Sequence, residues 1–481
     1  MIDRRTAIRL GVALALLFAT GGVMWSRSAA APATFENCEP TETSEGVRCL
    51  YVEVPEVPGD RSSRKLRIKV VVLPASGPTP HREPLLVLQG GPGVAGTLMA
   101  PNFARIGPVL RESRDLVFFD QRGTTGSGSL TCAFLGRHNF LGALFPADHV
   151  TACRRALSER ANLSAYTNTT SAEDLEVVRK ALGAETWSLL GYSFGTRLAQ
   201  TYARKYPNRV RAVVLDGVVP FDAELTANLA ASMERSLEYV IARCEQDEEC
   251  GTKYPDTRKA LVRLATRLDT APVTVRVSDN QGRTLAGPFG RWEFAYAVRG
   301  MLYGPLAASI PAWTHDAERT SDFTQFARVY WQRSRWVGDS TSLALHLGVY
   351  CSEDMPFSDS VAAVTRSRGT VIGARYYTEY RAGCASWPMP RASNDMRQPW
   401  KSDIPVLLFS GERDPVTPPE YGERVARSLT RAQHIVIKGG GHAEPSGCKT
   451  RVIAGFLEDP TRTLNSACLD SLDFPRFPIE R

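Results

Sequence analysis

Histidine is scarce in this chain, seven in 481 residues, and none of its ten cysteines stands in a Cys-x-x-Cys pair. Histidines paired at metal-ligand spacing are missing too, so a zinc site is excluded. No dense basic stripe occurs, which removes nucleic acid from the expected partners. There are no internal repeats, and low complexity is confined to the leader. Past that leader no apolar run approaches the length of a membrane span, so the body of the protein is expected to be soluble.

What remains is the composition of an ordinary globular protein: 43% hydrophobic, 9% aromatic and 23% charged residues, enough for a full core. At 481 residues the chain exceeds one average domain, and a catalytic domain carrying a sizeable insertion is expected. The formal charge of +7 is modest, and Arg4, Arg5, Arg9 and Arg27 contribute to it from the leader.

Residues 1–30 have the layout of an export signal: Arg4-Arg5, an apolar run from Ile8 to Trp25, then the small residues Ser28-Ala29-Ala30-Ala31. The arginine pair permits the twin-arginine route. The alternative is an uncleaved anchor, the one way this chain would touch a membrane, since the run is close to the ~20 residues a span requires. The expected location is therefore secreted or periplasmic. An even number of cysteines in an exported chain favours disulfides. Sequence neighbours suggest Cys38–Cys49, Cys132–Cys153, Cys244–Cys250, Cys351–Cys384 and Cys448–Cys468, although order alone does not prove connectivity.

Short apolar runs ending in Gly, Asp or Ser alternate with helical patterns, which marks an α/β fold with a mostly parallel sheet and helices on both faces. The expected buried strands are Pro84 to Leu88, Asp115 to Phe119, Thr186 to Leu190, Val210 to Leu215, Ile404 to Phe409 and His434 to Ile437. In such sheets ligands sit outside the carboxyl ends of the strands. The core is expected to span residues 35–219 and 399–481, with a largely helical cap at 220–398 that holds one hairpin around Val273, Val275, Val277 and the Asp279 to Gly282 turn. Of the cap's aromatics (Trp292, Phe294, Tyr296, Tyr303, Trp313, Tyr330, Trp331, Trp336), most are expected to pack its own core and the rest to shape a pocket.

Directly after the run Trp187 to Leu190, and before the helical pattern Thr196 to Tyr206, stands Gly191-Tyr192-Ser193-Phe194-Gly195. Strand, sharp turn and helix are the context of a nucleophile elbow, in which glycines two residues either side of the serine avoid clashes. An earlier strand runs into Gln89-Gly90-Gly91-Pro92-Gly93. Acyl transfer needs two backbone donors for the oxyanion, here expected from Phe194 and Gly91. An acid and a histidine should follow in chain order after later strands. Asp414, in Gly411-Glu412-Arg413-Asp414-Pro415, and His442, after Gly439-Gly440-Gly441, fill those places; Glu412 is the rival acid. A Ser193–His442–Asp414 triad works through an acyl-enzyme, so neither a metal nor an organic cofactor is expected.

The Gly90-Gly91-Pro92-Gly93 turn, the Asp120-Gln121-Arg122-Gly123 turn, the phrase Thr169 to Glu176 and the elbow together resemble the prolyl aminopeptidase and tripeptidyl aminopeptidase group of α/β-hydrolases. The stretch from about Asp403 to Cys468 resembles the C-terminal domain of bacterial tripeptidyl aminopeptidases. One departure is Gln89, where the group often carries His; a backbone oxyanion donor is unaffected by it. The serine at the elbow separates this chain from relatives of the fold that attack with aspartate, such as epoxide hydrolases. The resemblance implies release of amino acids or short peptides from free N-termini, which calls for an anion to hold the substrate ammonium. Glu353, beside Cys351, is the candidate, with an ordinary salt bridge as its alternative. Asp120 is expected to organise its own loop. The same triad serves carboxylesterases and lipases, so a peptide or a small ester is the expected substrate, and the oligomeric state stays open.

Overall fold

The computed structural model describes residues 33–36, 46–77, 83–132, 145–278, 284–470 and 472–479. The leader, Cys38 with its expected pairing, and the Asp279 to Gly282 turn lie outside the described residues. Nine strands form one sheet in the order β1-β2-β3-β5-β4-β6-β7-β10-β11. They are β1 (Ala33–Glu36), β2 (Arg48–Pro55), β3 (Lys65–Leu73), β4 (Leu85–Leu88), β5 (Leu116–Phe119), β6 (Trp187–Tyr192), β7 (Val210–Asp216), β10 (Val406–Gly411) and β11 (Ala432–Ile437). From β5 to β11 every neighbouring pair is parallel, while β1, β2 and β3 are antiparallel to their neighbours. The six expected strands are all present, within two residues at each end.

Except in the edge strand β11, their continuous apolar character follows from burial on both faces. Leu86, Leu88, Phe119, Leu189, Val213 and Leu215 point into one core layer, and Leu85, Val87, Phe118, Leu190, Val214 and Leu407 into the other. Helices cover both layers. Asn168–Ala181 and Phe194–Lys205 pack on the first, and Ala100–Ile106 and Gly447–Glu458 on the second. Strands β1, β2 and β3 were not expected, although β2 and the start of β3 alternate at the two-residue period of half-buried strands, with Leu50, Val52 and Val54 on one and Leu66 and Ile68 on the other buried.

Between β7 and β10 the chain is mostly helical, and its strands are the antiparallel hairpin β8 (Val273–Ser278) and β9 (Thr284–Phe289), where a hairpin was expected. Trp292, Phe294 and Tyr330 are buried in packing, while Tyr296, Tyr303 and Trp336 line a cavity. Cys132–Cys153, Cys244–Cys250, Cys351–Cys384 and Cys448–Cys468 are bonded as expected. Among the described residues no helix is long and apolar enough to cross a membrane.

Candidate active site

Because β4, β6, β10 and β11 run parallel, their carboxyl ends open on one edge of the sheet, and each feeds a loop carrying one expected element of the site. Strand β6 ends at Tyr192 and a helix starts at Phe194, leaving Ser193 alone in the turn at φ 52° and ψ −125°. That conformation is costly for a residue with a Cβ and persists only where surroundings impose it. Here the Ser193 amide donates to the Asp216 carbonyl at 2.8 Å, and the Ser193 carbonyl accepts the Thr196 hydroxyl at 2.6 Å. A Cβ on Gly195 would lie 2.3 Å from the Leu88 carbonyl oxygen, which explains the glycine after the serine.

Strand β4 delivers Gln89-Gly90-Gly91-Pro92-Gly93 against the elbow. A Cβ on Gly90 would sit 2.8 Å from the Ser193 Cβ and 3.1 Å from the Phe194 nitrogen, so only a glycine lets the two loops touch. Gly91, at φ 120°, holds a backbone angle that side chains disfavour. Gly91 and Phe194 both border the same cavity as Ser193. The Phe194 amide is in the first turn of its helix, where no intrahelical carbonyl is available to it.

Asp414 and His442, which are 28 residues apart, meet at 2.7 Å between Oδ2 and Nδ1. Asp414 is fully buried and also accepts the Val416 and Thr417 amides and the Thr417 hydroxyl. Burial by itself would raise the Asp414 carboxyl; the facing His442 and the bonds from Thr417 outweigh it and hold the group below its ordinary range. The rival Glu412 turns away and accepts the Gly439 amide at 2.9 Å. His442 is fixed from behind as well: its amide donates to the Tyr303 carbonyl at 3.1 Å, and the two rings meet edge-on at 5.0 Å. Thr417 was not singled out in the sequence, and Tyr303 was named only among the cap's aromatics; no motif placed either beside His442.

Ser193, His442, Gly91 and Phe194 line a cavity of about 1040 Å³. Glu353, expected to face a substrate ammonium there, does not line it. It is 7% exposed and accepts the Asn168 amide at 3.2 Å at the start of the helix Asn168–Ala181, with Arg197 at 4.0 Å. A helix N-terminus and a nearby arginine both favour a carboxylate there, and Cys351, two residues earlier in the chain, said nothing about which way the side chain points. Asp120 does organise its loop, accepting the Thr97 and Gly126 amides at 2.8 and 3.1 Å. His346 was also passed over. It joins the Pro92 carbonyl of the glycine-rich turn at 2.9 Å to the Tyr380 hydroxyl at 2.8 Å, and burial pushes its pKa down to about 4, so it bridges there as a neutral ring.

Residues 83–443 match the model of the alpha/beta hydrolase fold family. The chain is 26% identical over 416 residues to the serine protease Hip1 of Mycobacterium tuberculosis, with 78% of each chain covered. It is 28% identical over 214 residues to a tripeptidyl aminopeptidase of Streptomyces lividans, covering 40% of each. A solved proline iminopeptidase of Mycobacterium smegmatis superimposes with a TM-score of 0.39 at 20% identity, over 85% of this chain and 98% of that one. With its sheet, its elbow after β6 and a family match across most of its length, this chain belongs to the α/β-hydrolase family.

Proposed function

We propose that the protein is an exported serine peptidase that releases amino acids or short peptides from free N-termini through an acyl-enzyme on Ser193. The observation that carries the hydrolytic part is the 2.7 Å Asp414–His442 bond bordering the cavity that Ser193 enters from the elbow. Ser193 Oγ attacks the substrate carbonyl while its proton passes to His442 Nε2, and Asp414 holds Nδ1 and stabilises the resulting imidazolium. The Gly91 and Phe194 amides receive the oxyanion. The proton then moves to the leaving amine, the C–N bond breaks, and water, activated by the same histidine, releases the acyl group. In this proposal residues 220–398 act as a cap, a role supported by Tyr296, Tyr303 and Trp336 in the cavity wall. The four disulfides support export. Aminopeptidase specificity is supported by the names of the relatives.

One observation favours the second proposal, hydrolysis of small esters: among the described residues no Asp or Glu lines the cavity to receive an ammonium group. Purified protein assayed on arylamide peptides with free and with blocked N-termini, beside nitrophenyl esters, separates the two. Preference for free N-termini is expected. Equal cleavage of blocked peptides removes the aminopeptidase assignment, and ester turnover without arylamide turnover removes the peptidase. Ser193→Ala should lower kcat by roughly a millionfold; unchanged turnover would remove the serine mechanism altogether.

A further inference from the structure

The cavity wall has no carboxylate among the described residues, yet it contains three arginines, Arg105, Arg299 and Arg333. Arg105 is exposed and bonded to Asn102 at 3.3 Å. The other two are different. Arg299, on the helix Arg291–Leu302, is 7% exposed, and its described hydrogen bond is a single one, from Nη2 to the Tyr303 hydroxyl at 2.6 Å. Arg333, on the helix Thr324–Ser340, crosses over Gly300, where a Cβ would lie 2.5 Å from its Cδ, and rests 3.9 Å from the centroid of the Tyr303 ring. Both Nε atoms are buried without a hydrogen-bond partner. Among the described residues neither guanidinium has an ion-pair partner.

Removing a guanidinium from water with no counter-charge is costly, and an arginine so placed is ordinarily paired. The faces of Tyr296, Tyr303 and Tyr376, 5.1 to 5.4 Å from the Arg299 guanidinium, offset only part of that cost. Tyr303 also sets the position of the site relative to the chemistry. The ring that both guanidiniums approach is the ring packed edge-on against His442 at 5.0 Å. An anion between the two arginines would therefore sit one aromatic ring from the catalytic histidine.

We propose that Arg299 and Arg333 form a subsite for a carboxylate of the substrate, so that the enzyme prefers acidic acyl-transfer substrates over their neutral counterparts. Two guanidiniums with free donors match the planar carboxylate, and the bond is charge-assisted on both sides. This inference rests on Ser193 being the nucleophile, and it holds whether the bond cut is an amide or an ester. The carboxylate can come from an acidic side chain on the acyl side or from a free C-terminus on the leaving side.

Two substrate pairs separate these sources: glutamyl against glutaminyl nitroanilides, and short peptides with a free against an amidated C-terminus. In at least one pair kcat/KM is expected to favour the carboxylate by roughly ten- to a hundredfold, the size of a charge-assisted contact. That ratio should collapse toward one in Arg333→Gln, a half-exposed position that tolerates the change, and in Arg299→Met if it folds. Ratios below threefold in both pairs overturn the proposal and leave the hydrolase assignment standing, and so does a preference that Arg333→Gln leaves intact. Calorimetry of glutarate against neutral glutaramide on Ser193→Ala protein tests the subsite without turnover. If no substrate is cleaved but glutarate binds and Arg333→Gln abolishes that binding, the serine mechanism fails and the subsite stands. If glutarate does not bind and no substrate is cleaved, both fail.

Discussion

At Asp414 two opposing effects meet on one side chain. Full burial disfavours its charge, while His442, two backbone amides and the Thr417 hydroxyl favour it, and the second group wins. In the proposed mechanism Thr417 is therefore a positioning residue. Thr417→Val removes one hydrogen bond to the carboxylate and is expected to lower kcat by about fivefold to tenfold, on the basis of a bond worth ~1 kcal/mol, with KM little changed. The same balance sets a pH dependence. Because folding lowers the Asp414 pKa, its contribution to stability is complete above the unfolded value of about 3.9 and is lost as pH falls through the lower folded value. Acid unfolding followed by circular dichroism should be shallower for Asp414→Asn than for wild type below about pH 4. Identical slopes would mean that the depressed pKa is wrong.

At the scale of elements, the elbow works because two loops and a helix start share a space that admits no side chain. Gly195→Ala places a methyl group 2.3 Å from the Leu88 carbonyl oxygen, and the backbone on one side must move. The expected cost is about 1–3 kcal/mol, with kcat falling alongside the melting temperature because Ser193 moves too. Gly455→Ala, in the helix Gly447–Glu458 with open space around it, is the control and should stabilise by roughly 0.5–1 kcal/mol. The elbow was legible in the sequence because strand, turn and helix are consecutive and their glycines have a steric reason. The cavity arginines were not. Arg299 and Tyr303 are one helical turn apart, which shows that they share a face, but only the packing of one helix on another shows that the face looks toward His442.

At the scale of the molecule, the phrases that carried the family resemblance divide into chemistry and framework. Arg122, from the Asp-Gln-Arg-Gly turn, is fully buried and bonds both carboxylate oxygens of Asp174, from the Thr169 to Glu176 phrase, at 2.8 and 2.6 Å. It also donates to the Glu56 and Ala165 carbonyls at 2.6 and 2.9 Å, tying β2, the turn after β5 and the helix before the elbow together. Asp174→Ala would leave this guanidinium buried and without its counter-charge. The expected loss is about 3–5 kcal/mol in chemical denaturation, while the folded fraction keeps its kcat. A kcat that fell with unchanged stability would move the pair from framework to chemistry. Glu353 is the contrasting case: an acidic residue expected to hold substrate lies at a helix start beside Arg197, outside the lining of the cavity.

From the sequence alone came the class of fold, six parallel strands, the elbow, and the acid and histidine in their order. Each of these is written in consecutive residues, through apolar runs, glycines with a steric purpose and loops that follow strand ends. Tertiary structure decided the rest. It paired Asp414 rather than Glu412 with His442, set Glu353 outside the cavity lining, brought Thr417, Tyr303 and His346 to the site, and put Arg299 and Arg333 in the cavity wall with no ion-pair partner among the described residues. Which way a side chain points across a packed interface depends on residues distant in the chain, and no local pattern encodes that distance.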